Sequence, residues 1–181
     1  MNFELIVNED VTMLLLDKSH AQALCDMINK NRDFFRRFLS WVPDIYTTEQ
    51  ALEKIKKDRL GFESKESLEL GIFYKKELVG RCGFHEITKF QAEIGYLLDQ
   101  DHTGKGIMTE CTKIITHYGI NFLKKHRIVI KAAIENSASH AIPKKIGYTY
   151  EGTERESGLS ADKKWYSVQV WSFIEGDEFF L

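Results

Sequence analysis

Gly104 and Gly106, separated by Lys105 and followed at once by Ile107 and Met108, are the residues of this chain best suited to holding an anion. Glycines let a backbone turn so that several N–H groups converge, and the first-turn N–H groups of a helix have no internal partner. Together with the positive end of the helix dipole they favour a phosphate. The stretch QAEIGYLLDQDHTGKGIMTEC, from Gln91 to Cys111, supplies the setting. Ala92, Ile94, Tyr96 and Leu98 alternate as a strand, and Ile107, Met108, Cys111, Ile114, Ile115, Tyr118 and Phe122 recur at helical spacing beyond the glycine loop. Two common phosphate loops are excluded by spacing. A Walker loop needs GxxxxGK(S/T), whereas Lys105 follows the first glycine directly, and a dinucleotide fingerprint needs a third glycine where Thr109 stands.

The elements that must position this loop follow from pattern and composition. With 181 residues, 43% hydrophobic, and only 2 prolines, the chain reads as a single domain over 1–181. A strand pair spans about Glu4 to Leu16, and Ser19 begins a helix with Gln22 in the capping-box position. A second helical stretch runs from Asn31 to Leu39, and Pro43 closes it. Thr47-Thr48-Glu49-Gln50 caps a third helix reaching about Leu60. Leu68 to Tyr74 and Leu78 to Ile87 are strands joined at Lys75-Lys76-Glu77. After the glycine loop and its helix come a strand from Arg127 to Ala133, a helix from Ser137 to Ile146, and two strands beyond Tyr148. This order predicts an α+β, or layered α/β, domain on a mixed, mostly antiparallel sheet with one strand-helix-strand crossover, flanked by helices.

Charge and cysteine content narrow the partners. A net charge of −2 with both signs interspersed argues against nucleic acid or an anionic membrane. Lys124-Lys125-His126-Arg127, the densest basic run, reads as cations at a helix C-terminus. Cys25, Cys82 and Cys111 are odd in number and far apart, which suits reduced thiols filling a core in a cytoplasmic protein. No segment approaches membrane-spanning length. His85-Glu86 lacks a second histidine four positions after the first, and the other histidines show no ligand spacing, so no metal is expected and they read as scattered surface or core residues.

The strand AEIGY, the loop TGKGIM and the following helix resemble the acetyl-coenzyme A motif of the GNAT superfamily of N-acetyltransferases. A second block strengthens the likeness. Asn136 to Ser139, then Ile142-Pro143-Lys144-Lys145-Ile146-Gly147-Tyr148 and Glu151-Gly152, are similar to the Asn-x-x-Ser, Lys-Ile/Leu-Gly-Phe and Glu-Gly run of the branch containing ribosomal-protein serine and alanine N-acetyltransferases. The resemblance extends over nearly the whole chain, including Phe38-Leu39-Ser40-Trp41 near the substrate side, and implies the GNAT acyltransferase fold. It implies acetyl-coenzyme A as co-substrate, with its pyrophosphate held by Thr103, Gly104, Lys105, Gly106, Ile107 and Met108. Its pantetheine and thioester fall to Leu97, Leu98, Asn136, Ser139 and Lys145. Members of the branch pair as dimers, so a homodimer is implied as well. Departures stand at Thr103, where the family has Gln or Arg, at Met108, where it has Gly or Ala, and at Pro143, where many members carry a catalytic tyrosine.

Acetyl transfer to an amine needs a neutral nucleophile, a donor for the developing oxyanion and a proton source for the leaving thiolate. An N-terminal amine is roughly 10 to 20% neutral at pH 7, a lysine only about 0.04%. The resemblance makes Ser139 the group beside the coenzyme A sulfur and Glu93 the base, with Glu93 expected to have its pKa raised among aromatic neighbours. A strand N–H near Leu97 or Leu98 is the candidate oxyanion donor, against an ordinary ladder bond. Read alone, Ser139 is a helix cap, Glu93 a structural ion pair, and Asn136 an N-cap that can also bind pantetheine. Phe34, Phe35, Trp41 and Tyr46, with Tyr96, are candidate walls of an acceptor cleft, against plain core packing. The reading is an N-acetyltransferase acting by direct transfer in a ternary complex, with a protein N-terminal α-amine of the ribosomal-protein type as acceptor. The alternatives are a small-amine acceptor such as a polyamine or aminoglycoside, or an acyl-coenzyme A sensor without turnover.

Overall fold

A computed structural model describes residues 2–180. Eight strands form one sheet in the order β1-β2-β3-β4-β5-β6-β8-β7. They are β1 (Glu4–Ile6), β2 (Val11–Leu14), β3 (Leu68–Tyr74), β4 (Glu77–Ile87), β5 (Gln91–Leu98), β6 (Arg127–Ala133), β7 (Thr149–Leu159) and β8 (Trp165–Ile174). Every neighbouring pair is antiparallel except β5 and β6, which are joined by the crossover helix α4 (Ile107–Asn121). The expected mixed, mostly antiparallel sheet is therefore present, with β6 and α5 (Ser137–Ile146) at their expected limits.

The remaining helices are α1 (Ala21–Lys30), α2 (Arg32–Arg36) and α3 (Thr48–Ser64). In α1 the residues Ala21, Leu24, Cys25 and Ile28 share a buried stripe, which packs with Ala51 and Ile55 of α3 and with Leu16 and Leu78. A larger core joins Leu70, Ile72, Phe84 and Ile94 of the sheet to Cys111 and Ile115 of α4 and Ile146 of α5. Two hydrophobic layers thus grip the sheet, and the cleft described below opens between them.

Local signals explain where the elements differ from expectation. Asp17, not Ser19, starts the first helical turn: its carboxylate accepts the Ser19 N–H at 2.9 Å, while its own N–H donates to His20 Nδ1 at 3.1 Å. Thr47 and Gln50 form the expected capping box, but α3 runs on to Ser64 because the missing side chain of Gly61 makes room for Ser67. The helix then closes on Lys65 in the left-handed conformation. The second helix is only five residues long, because past Arg36 the chain tightens into a turn in which the Phe38 N–H bonds Phe35 O at 3.1 Å; Asn31 before it donates to Met27 O and accepts the Gln100 N–H, each at 2.9 Å. The basic run from Lys124 to Arg127 follows the end of α4 at Asn121, and the Lys125 N–H closes the last turn on Gly119 O at 3.0 Å, but the side chains of Lys125 and Arg127 are bonded elsewhere. Lys125 donates to Thr88 O, and Arg127 forms a two-pronged ion pair with Glu151.

Two irregularities in the sheet shape the site. The β4–β5 ladder passes from Phe84↔Ile94 to Glu86↔Glu93, so His85 is an extra residue, a β-bulge. The β5–β6 ladder pairs Gln91 to Ile94 with Arg127 to Ile130 and then stops, so the two strands fork from Gly95 onward.

Candidate active site

A cleft of about 950 Å³ enters this fork, near the upper end of small-molecule site sizes, roughly 300–1,000 Å³. One end is the glycine loop. Asp99, almost fully buried, anchors it by accepting from Lys30 Nζ at 2.7 Å and from the Asp101 N–H at 3.2 Å. Burial pushes the Asp99 carboxyl up, but these bonds more than offset it and hold the group below its ordinary value. Gly104 (φ +74°) and Gly106 (φ +78°) are both left-handed, and a Cβ on either would meet no atom within 4 Å. They therefore present bare backbone to open space at the start of α4, whose first N–H groups lack helical acceptors. These features fit the pyrophosphate of coenzyme A. Thr103 spends its hydroxyl on Gln100 O at 2.8 Å, so the support given elsewhere by Gln or Arg is absent and the loop relies on its backbone.

The fork supplies the next set of donors. Asp99 N–H bonds Val79 O at 2.7 Å, and the β4–β5 register runs unbroken from Gly80↔Leu98 to Phe84↔Ile94. Backbone alternation therefore turns the N–H of Leu97 into the β4 ladder and those of Tyr96 and Leu98 toward the open side. Of the two expected oxyanion donors only Leu98 faces the fork.

Helix α5 closes the other wall. Asn136 is its N-cap, with Oδ1 accepting the Ser139 N–H at 3.2 Å, which leaves its amide nitrogen free for a ligand. The Ser139 hydroxyl is thus not the cap. Pro143 has no N–H, so the Ser139 carbonyl, four residues earlier, loses its ordinary helical donor. The half-buried Tyr96 replaces it, its phenol donating to Ser139 O at 2.8 Å. Burial holds that phenol protonated by pushing its pKa well up. Tyr96→Phe is expected to cost about 1–2 kcal/mol in urea denaturation at unchanged m-value. Adding Pro143→Ala, which restores a backbone donor, should recover part of the loss; strict additivity of the two changes would show that Tyr96 and Pro143 are not coupled.

At the acceptor end, Phe35 and Trp41 line the cleft together with Phe34, whereas Tyr46 is buried in the α1–α3 core and does not. Glu93 also lines it, but the expected upward pKa shift is not found. Burial raises the carboxyl, yet the hydrogen bond and charge of His85 at 3.2 Å, aided by Lys131 at 4.0 Å, bring it below its ordinary value. Lys105 is the one candidate cofactor residue outside the cleft lining; its ammonium lies 5.9 Å from the Tyr74 ring, and only its backbone can serve the loop. The other candidates, Leu97, Leu98, Thr103, Gly104, Gly106, Ile107, Met108, Asn136, Ser139, Lys145 and Tyr96, do come together.

Five charged residues here were not site candidates from the sequence: Lys54, Glu69, Arg81, Lys131 and Glu154. His85, read as a scattered histidine, belongs with them. Arg81, buried in the floor, bonds Asp58 at 2.5 Å and faces Glu69 at 3.5 Å, while Lys131 bonds Glu154 at 3.1 Å. No group of three or more metal-binding side chains exists among the described residues. Among the same residues no helix is long and apolar enough to cross a membrane.

Comparison with known proteins agrees with this site. YdaF of Bacillus subtilis, provisionally named a ribosomal N-acetyltransferase, is 32% identical over 90% of this chain and 92% of its own length. The structure of the microcin C7 self-immunity acetyltransferase MccE, solved with acetyl-CoA and AMP, is 27% identical and superposes with a TM-score of 0.87 over 93% of this chain and 94% of that one. RimL, a ribosomal L7/L12 alpha-N-protein acetyltransferase solved with coenzyme A, is 25% identical, with a TM-score of 0.88 over 95% and 98% of the two chains. The model of the acetyltransferase (GNAT) domain matches residues 10–149, most of the chain, including the bulge, the fork, the glycine loop and α5. A glycine cradle at a sheet fork, on a chain matched in this way, identifies an acetyl-coenzyme A dependent acetyltransferase that belongs to the GNAT family.

Proposed function

We propose that the protein transfers an acetyl group from acetyl-coenzyme A directly to a protein N-terminal α-amine of the ribosomal-protein type, in a ternary complex. The pairing of every cleft carboxylate carries this choice of acceptor. Glu93 faces His85 and Lys131, Glu154 bonds Lys131, and Glu69 faces Arg81. A polyamine or aminoglycoside needs unpaired carboxylates to replace the solvation of several ammonium groups, whereas a peptide brings one amine and a neutral backbone. The names of YdaF and RimL support the same acceptor class.

Direct transfer is supported by the thiols. Cys25, Cys82 and Cys111 are all buried, and none lines the cleft. Burial pushes Cys111 up to about 12 and Cys82 well above its ordinary value, so neither supplies a thiolate to carry the acetyl group. Acetyl-coenzyme A supplies the activated acetyl thioester. The chain's groups bind and orient it: the loop from Thr103 to Met108, the amide of Asn136, and the Leu98 N–H where negative charge develops. Ser139 holds a hydroxyl for the sulfur, and the pair of His85 and Glu93 receives the proton of the amine.

Thiol release should be measured with serine- and alanine-initiated peptides, spermidine and an aminoglycoside. The peptides are expected to react fastest. Faster turnover of spermidine would overturn the acceptor assignment, and tight coenzyme A binding without turnover of any amine would make the protein a sensor.

A further inference from the structure

His85 enters the cleft because of the bulge. With no ladder partner between Phe84 and Glu86, its side chain is re-aimed, as bulges beside active sites do. The ring lies over Gly95, where a Cβ would stand 3.0 Å from Nδ1, so a larger residue there would push the ring away. Nε2 lies 3.2 Å from Glu93 Oε1, and the His85 side chain is 45% exposed where that of Glu93 is 19%. The second oxygen of Glu93 faces Lys131 at 4.0 Å. The carboxylate thus lies between the His85 ring and the Lys131 ammonium, and the other ring nitrogen, Nδ1, faces the bare backbone of Gly95.

On the reading that an amine is acetylated here, we infer that His85 takes the proton from the acceptor amine through Nδ1, and that Glu93 is the positioning residue that fixes the tautomer of the ring. A carboxylate facing Nε2 accepts its N–H, which puts the lone pair on Nδ1. The groups around the ring agree. The hydrogen bond to Glu93 raises the pKa of His85 against the opposing effect of burial, and the charges of Glu93 on β5, Glu69 on β3 and Glu86 on β4 add to it. Lys131 on β6 faces Glu93 and is itself paired with Glu154 on β7. A histidine held above its ordinary value suits proton transfer near neutral pH better than a carboxylate held below its own.

The protons balance. The ammonium gives one to Nδ1, and the imidazolium formed is stabilised by Glu93. The amine's freed electron pair makes the C–N bond to the thioester carbonyl carbon as the C–S bond breaks. The second amine proton reaches the sulfur by way of the Ser139 hydroxyl, and His85 returns the first to water.

Two measurements test this. In histidine-labelled protein with coenzyme A bound, nitrogen NMR needs no acceptor. His85, assigned by the signals lost in His85→Gln, is expected as the Nε2–H tautomer, and Glu93→Gln should lower its titration midpoint. An Nδ1–H tautomer, or a midpoint indifferent to Glu93→Gln, overturns the assignment. In the second, thiol release from acetyl-coenzyme A with a serine-initiated tripeptide amide is followed against pH. The wild type should lose rate as pH falls through the titration of His85, because the protonated ring cannot accept. Glu93→Gln should lower the plateau rate about 10-fold while the limb persists at lower pH, and His85→Gln should lose about 10²-fold in kcat together with the limb. Retention of rate and limb in His85→Gln, with loss of both in Glu93→Gln, would make Glu93 itself the base. A wild type that turns over no amine overturns the transfer reading instead, while the tautomer is still read by NMR.

Discussion

Gly106→Val is expected to abolish coenzyme A binding, lowering affinity at least about 100-fold, or roughly 2.7 kcal/mol. Two effects add at this position. Its φ of +78° is left-handed, which a β-branched side chain enters only at a cost of about 1–3 kcal/mol. Its Cβ would project into space that no protein atom occupies, on the cleft side of the first turn of α4. The damage should therefore appear in ligand affinity more than in packing. Isothermal titration with coenzyme A measures it, and Gly106→Asn separates the two effects because Asn tolerates the left-handed region. Affinity retained by the valine variant would show that the loop backbone is not the pyrophosphate cradle.

Ser139→Ala is expected to lower kcat by about 10²-fold with little change in coenzyme A affinity. The structure makes this a cleaner test than the sequence promised. A serine in the first turn of a helix would usually be suspected as a cap, whose loss costs about 1 kcal/mol. Here Asn136 caps α5, and Ser139 contributes its N–H and carbonyl to the frame, both of which alanine keeps. Thermal stability should thus stay within about 0.5 kcal/mol of the wild type, and a fall in rate can be assigned to the hydroxyl. An unchanged kcat would reduce Ser139 to part of the wall.

Much of this architecture is legible in the residues because local rules and tertiary demands agree. The alternation of Leu68, Leu70 and Ile72, the Thr47/Gln50 box and the glycines at 104 and 106 each dictate their own geometry, and the structure follows them. The donor side of the site was readable for the same reason, since a phosphate cradle is built from consecutive residues. The acceptor side was not. His85 lies in the cleft only because a residue is inserted into β4 relative to β5, and a period of two cannot announce an insertion. The expected upward shift of Glu93 failed because His85 and Lys131 come from other strands, and the ladder alone decides that they face it. The bond from Tyr96 to the Ser139 carbonyl likewise joins residues 43 apart, although Pro143 marks in the sequence that a carbonyl there must find another donor.

The fork between β5 and β6 also gives the protein a built-in reporter. The amides of Tyr96 and Leu98 lie in a central strand yet lack the cross-strand acceptor that shields their neighbours on the β4 side. In deuterated solvent they should exchange far sooner than the amides of Ile94 or Leu97. A bound ligand that takes them as donors should slow them without any change in the fold. Occupancy of the cleft would thus be recorded, residue by residue, as deuterium uptake in the middle of an otherwise protected sheet.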